Sequence, residues 1–134
     1  MTKIRILIAD DHPVVREVLV GMLAGQSDFD VIGVAEDGDM AVSLYHDLMP
    51  DVVLMDLQMP GLDGVGAIQD IKSETKDAHI LVLTTYDSDA DILRAIEAGA
   101  TGYLLKDTPR DALFRAIRAA ASGESVLAPS VATR

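Results

Sequence analysis

Short apolar segments alternate with longer, helix-like segments along the whole chain. The apolar segments have strand length and little polar–apolar alternation, which is typical of parallel strands buried on both faces. Each is followed by a stretch in which apolar residues recur every three or four positions. Five such units with right-handed crossovers predict an α/β fold, a doubly wound five-stranded parallel sheet with five helices. The predicted strands lie near residues 4–9, 31–35, 52–56, 79–84 and 102–105.

Helix-breaking residues mark the ends of the predicted helices. The first helix begins at Pro13, because proline is tolerated at the first helical position. The fourth helix is expected over residues 87–98, before a glycine, and the fifth over 109–122, before another. Residues 124–134 are expected to form a weakly structured tail or linker.

Residues that can bind metal or phosphate stand at the ends of four predicted strands. Asp10 and Asp11 follow the first strand, Asp56 ends the third, Thr84 ends the fourth and Lys106 follows the fifth. The carboxyl ends of parallel strands meet at one edge of such a sheet. We therefore expect three carboxylates, one hydroxyl and one ammonium group to lie close together.

The three carboxylates predict a magnesium site. Clustered carboxylates repel one another, and this repulsion raises their pKa values unless a positive charge lies between them. Oxygen ligands of this kind suit Mg2+. An Asp-Asp pair after a strand is often only a helix cap and its neighbour, so Asp10 and Asp11 alone would be weak evidence. The addition of Asp56 from a separate strand favours the metal site.

Asp56 is the best candidate for a reacting group. A carboxylate is ionised at neutral pH and can attack a phosphoryl donor without a general base, which gives an acyl phosphate. The Thr84 hydroxyl and the Lys106 ammonium are suited to phosphoryl oxygens. Either residue alone would be an ordinary strand or surface residue, and only their shared location favours phosphate chemistry.

Composition and charge narrow the functional classes. The chain has 134 residues, enough for one domain, and 22 acidic against 11 basic residues give a net charge of -11. This charge repels nucleic acid and anionic membranes, so DNA binding by this chain alone is not expected. The absence of cysteine excludes disulfides and thiolate metal sites. No segment reads as a signal peptide or a membrane span, so we expect a soluble, cytoplasmic protein.

Four separated motifs resemble the receiver domain of two-component response regulators over nearly the whole chain. They are IRILIADDHPVVR, DVVLMDLQMPGLDG, ILVLTTYD and EAGATGYLLKD. The DDHP sequence and the last two motifs resemble the NarL/FixJ subfamily, whose members carry a LuxR-type helix-turn-helix after the receiver. The resemblance implies the flavodoxin-like strand order 2-1-3-4-5 and phosphorylation by a sensor histidine kinase. It also implies a phosphoacceptor with slow autodephosphorylation rather than an enzyme, and control of DNA binding and transcription by the full-length protein.

The same resemblance implies roles for individual residues. Asp56 would be the phosphoacceptor and Lys106 the phosphate-binding lysine, while Thr84 and Tyr103 would form a switch pair. The implied magnesium ligands are Asp10, Asp11, Asp56 and the backbone carbonyl of Gln58.

Two further positions would affect how long the phosphate remains on the protein. By resemblance, Gln58 and Tyr86 occupy the positions that tune hydrolysis. Neither is an acid and Tyr86 is bulky, so we expect the acyl phosphate to persist.

Many receivers have a cis-proline after the lysine, whereas Asp107 follows Lys106 here. A cis bond at this position would cost about 3–4 kcal/mol, so a trans bond is expected.

The tail resembles the linker that enters the DNA-binding domain of this subfamily. We therefore expect a receiver domain over residues 1–122 and a linker over 123–134. DNA would be contacted only through a C-terminal helix-turn-helix domain of a longer protein. A stand-alone receiver is the alternative.

The sequence can also be compared with what two other functional classes require. A small aspartyl-phosphate phosphatase would place a second acid two residues after the nucleophile, where this chain has Gln58. A flavodoxin-like flavin carrier would need a phosphate-binding loop after the first strand, where Asp10 and Asp11 would repel phosphate. Both classes are disfavoured.

Apolar and small residues on two helices suggest a homodimer through the first and fifth helices. On the first helix, Val20 is predicted to project away from the core-facing Val15, Leu19 and Met22. Isolated exposed valines and helix-favouring alanines would explain the pattern as well. The small residues expected on the fifth-helix surface are Ala116, Ala119, Ala120 and Ala121.

Overall fold

Strands and helices alternate along the chain, as predicted. The computed structural model describes residues 3–85, 89–124 and 126–127. The strands are β1 (Ile4–Ala9), β2 (Phe29–Ala35), β3 (Val52–Met55), β4 (Ile80–Thr84), β5 (Gly102–Leu105) and β6 (Val126–Leu127). The helices are α1 (Pro13–Ala24), α2 (Gly38–Leu48), α3 (Gly64–Glu74), α4 (Asp89–Ala98) and α5 (Arg110–Ala121).

The strands form one parallel sheet in the order β2-β1-β3-β4-β5-β6. The order of the first five strands and the five helices confirm the predicted fold class. The sixth strand was not predicted. In it, Val126 pairs with Gly102 and Leu127 pairs with Tyr103. The expectation of a weakly structured tail over 124–134 was therefore wrong for these two residues.

The central strands form the core because both of their faces are covered by helices. Every residue of β3 and β4 is buried, as are the last four residues of β1. Removing apolar surface from water contributes about 25 cal/mol per Å2, so this three-strand centre dominates the stability. The polar residues that follow these strands are thereby attached to the buried centre of the sheet.

Helix α1 buries the predicted face, since Leu19 is buried and Val15 and Met22 pack against the core, but this face is wider than predicted. Leu19 and Leu23 are buried, whereas Val20 is only partly buried and packs against the core. The exposed valines are Val14, with 70% of its surface accessible, and Val18, with 54%. The prediction that Val20 forms the outward surface of this helix was therefore wrong.

Helix α5 packs two of its alanines inward. Ala116 and Ala120 are buried beside Ile117, so neither belongs to the expected small-residue surface. The helical period of Leu113, Ile117 and Ala120 predicts an inward position for Ala120, which is confirmed. Because alanine side chains are short, the helix can lie close to the sheet. Ala119 and Ala121 remain only partly buried, so the small-residue surface is narrower than predicted.

An arginine joins α5 to the start of β2. The Arg118 guanidinium donates hydrogen bonds to both carboxylate oxygens of Asp28, at 2.8 and 3.0 Å, and to Gln26 Oε1 at 3.0 Å. The same guanidinium lies 4.9 Å from the centre of the Phe29 ring, which makes an edge contact with Phe114. The hydrogen bonds from Arg118 lower the pKa of Asp28.

The start of α3 lies directly against the end of β3. The Asp63 side chain caps the helix by accepting a hydrogen bond from the Gly66 amide at 2.8 Å. The Gly64 amide donates to the Leu57 carbonyl at 2.9 Å. A Cβ atom at Gly64 would overlap the Asp56 carbonyl oxygen and lie 2.6 Å from Leu57 Cα. Glycine is therefore needed for this close approach between backbones.

We expect Gly64→Ala to lower the free energy of unfolding by about 1–3 kcal/mol, because the added methyl group meets backbone atoms that cannot move aside easily. Gly21→Ala in α1 is the control, since no atom lies within 4 Å of a Cβ there. It should instead stabilise the protein by about 1 kcal/mol through helix propensity. Urea denaturation measures both changes. Equal stabilities of Gly64→Ala and the unsubstituted protein would contradict the close approach.

Candidate functional site

Two neighbouring strands bring the predicted acids together. In the sheet, Ala9 at the end of β1 lies opposite Met55 at the end of β3. The next residues, Asp10 and Asp56, are each only 2% exposed. The Asp56 amide also donates to the Ala9 carbonyl at 2.9 Å, which holds the two strand ends together. Two carboxylates are thus fixed side by side at the edge of the core.

Lys106 joins these two acids. Its Nζ atom lies 2.6 Å from Asp10 Oδ2 and 3.2 Å from Asp56 Oδ2. The Lys106 amide donates to the Thr84 carbonyl at 2.8 Å, so the backbone of β4 helps to place the lysine. Each peptide bond in the described parts of the chain is trans, including the Lys106–Asp107 bond, as expected. The lysine therefore reaches the acids without the cis bond found in many receivers.

Burial and charge act against each other at this site. Burial raises the pKa of Asp56, and Asp10 raises it further, while the Lys106 ammonium and the Thr84 hydroxyl oppose the rise. The net effect is a raised pKa. Burial alone would lower the pKa of Lys106, but the hydrogen bonds and charges of the two carboxylates outweigh it and raise this pKa. The Lys106 ammonium is thus strongly held, yet its charge does not fully offset the cost of burying an ionised Asp56.

Some carboxylate oxygens are left without hydrogen bonds. Among the described residues, Asp11 Oδ1 and Asp56 Oδ1 are buried and accept no hydrogen bond. Asp10, Asp11, His12 and Asp56 each offer a ligand atom, and these atoms all lie within 4.8 Å of one another. Oxygen donors of this kind fit Mg2+. Gln58 follows in the segment after β3, with an exposed side chain.

The predicted switch residues lie on β4 and β5, the two strands that follow β3 in the sheet. Thr84, the last residue of β4, and Tyr103, on the adjacent β5, are both fully buried. The strands are in register, with Tyr103 opposite Val82 and Thr84 opposite Leu105. Tyr86, the residue expected to limit hydrolysis, lies outside the described residues.

Two residues of the site were missed by sequence reasoning. The Arg16 guanidinium donates to the Asp10 carbonyl at 2.7 Å. The His12 amide donates to Asp10 Oδ1 at 2.8 Å, and its ring Nδ1 lies 3.1 Å from Asp10 Oδ1 and 3.0 Å from Asp11 Oδ1. The sequence signal for His12 is its place directly after the two aspartates, at the start of a predicted helix.

Residues 6–118 match the family model for the response regulator receiver domain. The chain belongs to this family. Among curated relatives, the transcriptional regulatory protein YdfI of Bacillus subtilis is 45% identical over 130 residues, covering 97% of this chain and 61% of the relative. LiaR of the same organism is 46% identical over 129 residues, covering 96% and 61%. This receiver domain therefore spans about three fifths of the length of these relatives.

Solved structures agree with the family assignment. A LuxR-family response regulator from Aurantimonas sp. SI85-9A1 has a TM-score of 0.93 and 36% identity, covering 98% of this chain and 94% of the other. The signal receiver domain of NarL from Mycobacterium tuberculosis has a TM-score of 0.89 and 35% identity, covering 92% and 100%. The chain is thus a receiver domain of a two-component response regulator of the LuxR/NarL type. Of the helices in the described residues, none has the length and apolar character needed to cross a bilayer.

We expect Asp56→Asn to raise the free energy of unfolding of the receiver domain near neutral pH when divalent cations are chelated. The raised pKa of Asp56 means that ionised Asp56 is less favourable in the folded than in the unfolded chain. Both states are protonated below the unfolded value near 3.8, so the advantage of the variant should be smallest there. It should grow as the pH rises through the folded pKa and then remain constant.

Urea denaturation at a series of pH values measures this difference between variant and unsubstituted protein. Asp70→Asn, at an exposed position of α3, is the control and should change stability by less than about 0.5 kcal/mol. A loss of stability in Asp56→Asn at neutral pH would mean that the ion pair with Lys106 outweighs burial.

Proposed function

We propose that Asp56 accepts a phosphoryl group from a phosphohistidine of a sensor histidine kinase. The observation that carries this proposal is the buried Asp56 carboxylate, which has one oxygen beside Lys106 and one oxygen without a hydrogen bond. In the reaction, an Asp56 oxygen forms a bond to phosphorus and the bond from phosphorus to the histidine nitrogen breaks. The histidine leaves with the electron pair, and Asp56 needs no general base because it is already ionised.

Mg2+ is the cofactor of this proposal. Asp11 and Asp56 would bind it through their Oδ1 atoms, together with the backbone carbonyl of Gln58, and Asp10 would complete the acidic group. When bound, the ion supplies positive charge that favours the negatively charged phosphoryl group at the carboxylate. Lys106 is held close enough to donate to a phosphoryl oxygen on Asp56.

The phosphorylated state would be transmitted by Thr84 and Tyr103. The Thr84 hydroxyl would donate to a phosphoryl oxygen, and Tyr103, buried on the adjacent strand, would respond to the movement of Thr84. A ligand changes a conformational equilibrium only if it binds one state better, so phosphate must favour the state with this contact. Gln58 and Tyr86 would limit access of water and prolong the acyl phosphate.

This receiver domain would act as a switch and not as a turnover enzyme. Residues 1–122 would form the receiver and 123–134 the linker to a DNA-binding domain in a longer transcription regulator. The net charge of -11 makes direct DNA contact by the receiver unfavourable. A homodimer through α1 and α5 remains a proposal, with the exposed Val14 and Val18 as the apolar part of its surface.

Incubation of the receiver domain with Mg2+ and acetyl phosphate should add one phosphoryl group per chain, detected by intact mass. Asp56→Asn should remain unmodified, and peptide mapping after borohydride reduction should locate the label at Asp56. Asp70→Asn is the matched control and should be labelled like the unsubstituted chain. Labelling of Asp56→Asn to the same extent would refute the assignment of the phosphoacceptor.

We expect Asp11→Asn to weaken Mg2+ binding at least about tenfold, because it removes a charged ligand from the site. Calorimetric titration at constant pH and ionic strength measures the affinity. Asp70→Asn again serves as the control, with the same change of charge away from the site. Unchanged Mg2+ affinity in Asp11→Asn would exclude Asp11 as a ligand.

A further inference from the structure

His12 lies beside the acidic group but has no part in the proposed phosphoryl transfer. Its side chain is 62% exposed, yet the ring Nδ1 is directed at the acids, 3.1 Å from Asp10 Oδ1 and 3.0 Å from Asp11 Oδ1. The backbone amide of His12 also donates to Asp10 Oδ1, which holds the backbone of His12 next to the carboxylates. The imidazole can therefore approach these oxygens without repacking the core.

The carboxylates present different oxygens to Lys106 and to His12. Lys106 contacts the Oδ2 atoms of Asp10 and Asp56. The Oδ1 atoms of Asp10 and Asp11 face the His12 ring, and Asp56 Oδ1 is buried and accepts no hydrogen bond. A cation could thus bind on the Oδ1 side while the lysine keeps its two contacts. The buried, unpartnered oxygen of Asp56 is the independent sign of a ligand at this position.

The distances in this group suit a transition-metal ion. For six ligands with bonds of about 2.1 Å, adjacent ligand atoms are about 3.0 Å apart and opposite ones about 4.2 Å. The ligand atoms of Asp10, Asp11, His12 and Asp56 lie within 4.8 Å of one another, so a small inward movement is sufficient. The mixed donor set matters chemically, because imidazole nitrogen suits zinc, nickel, copper and iron, whereas magnesium prefers oxygen ligands alone.

We propose that His12 is a metal ligand that sets the specificity of this site, allowing it to bind divalent transition-metal ions in competition with Mg2+. The inference rests on the acidic site of the proposed function, but it does not depend on phosphoryl transfer. An ion bound by His12 and the Oδ1 atoms would engage Asp56 directly.

The test compares Co2+ and Mg2+ binding in the unsubstituted receiver domain and in His12→Gln, by calorimetry at one pH and ionic strength. Most sites bind Co2+ more tightly than Mg2+, so the informative quantity is the change in the ratio of the two affinities. We expect Co2+ affinity to fall at least about tenfold in His12→Gln, as expected for loss of a ligand, while Mg2+ affinity changes less than about twofold. His79→Gln is the matched control and should leave both affinities unchanged.

Nuclear magnetic resonance supplies a second measurement that does not depend on affinity. Paramagnetic Co2+ at one equivalent should move the ring signals of His12 far outside the normal diamagnetic range, because a bonded imidazole takes up unpaired spin density, whereas those of His46 and His79 should shift only slightly. An unchanged ratio of Co2+ to Mg2+ affinity in His12→Gln, or unaffected His12 signals, would overturn the assignment. Failure of Mg2+ to bind the unsubstituted chain would instead refute the proposed magnesium site, and His12-dependent Co2+ binding would still support His12 as a ligand.

Discussion

The shared ion pair of Lys106 with Asp10 and Asp56 is the interaction on which the site depends. Two carboxylates stand side by side at the buried ends of adjacent strands, and one ammonium serves both. Removing the shared lysine would leave both buried carboxylates without a positive partner, which costs far more than removing an exposed charge. With Asp11 beside them, three carboxylates stand at this edge against one lysine, which favours ligands that bring positive charge.

The sequence predicted the positions of the site residues because strand ends are tied to sheet topology. Once parallel strands are recognised, Asp56 and Lys106 must lie at the same edge, whatever the details of packing. The orientation of single helical residues was harder to predict. Val20 and Ala116 contact the core because the buried faces of their helices are wider than the apolar stripe that the helical period predicts. His12 was missed because its neighbour Pro13 explained the local sequence as a helix start.

The close contact between α3 and the sheet explains why glycine is needed at position 64. Gly64 allows α3 to begin directly above the Asp56 carbonyl, so Asp56 is fixed by backbone contact as well as by its own strand. On another side of the molecule, Arg118 ties α5 to the loop before β2 through Asp28. The acidic site and the contact between α5 and the loop before β2 are thus held by separate residues. A substitution in one therefore need not disrupt the other.

The sixth strand has a consequence for the behaviour of the protein at high concentration. The outer edge of β5 would present unpaired amide and carbonyl groups, and such edges are templates for association with strands of other molecules. Pairing of Gly102 and Tyr103 with Val126 and Leu127 covers this edge and leaves only a two-residue strand outermost. So short a strand offers few hydrogen bonds to a neighbour. The segment after α5 therefore protects the sheet from edge-to-edge aggregation.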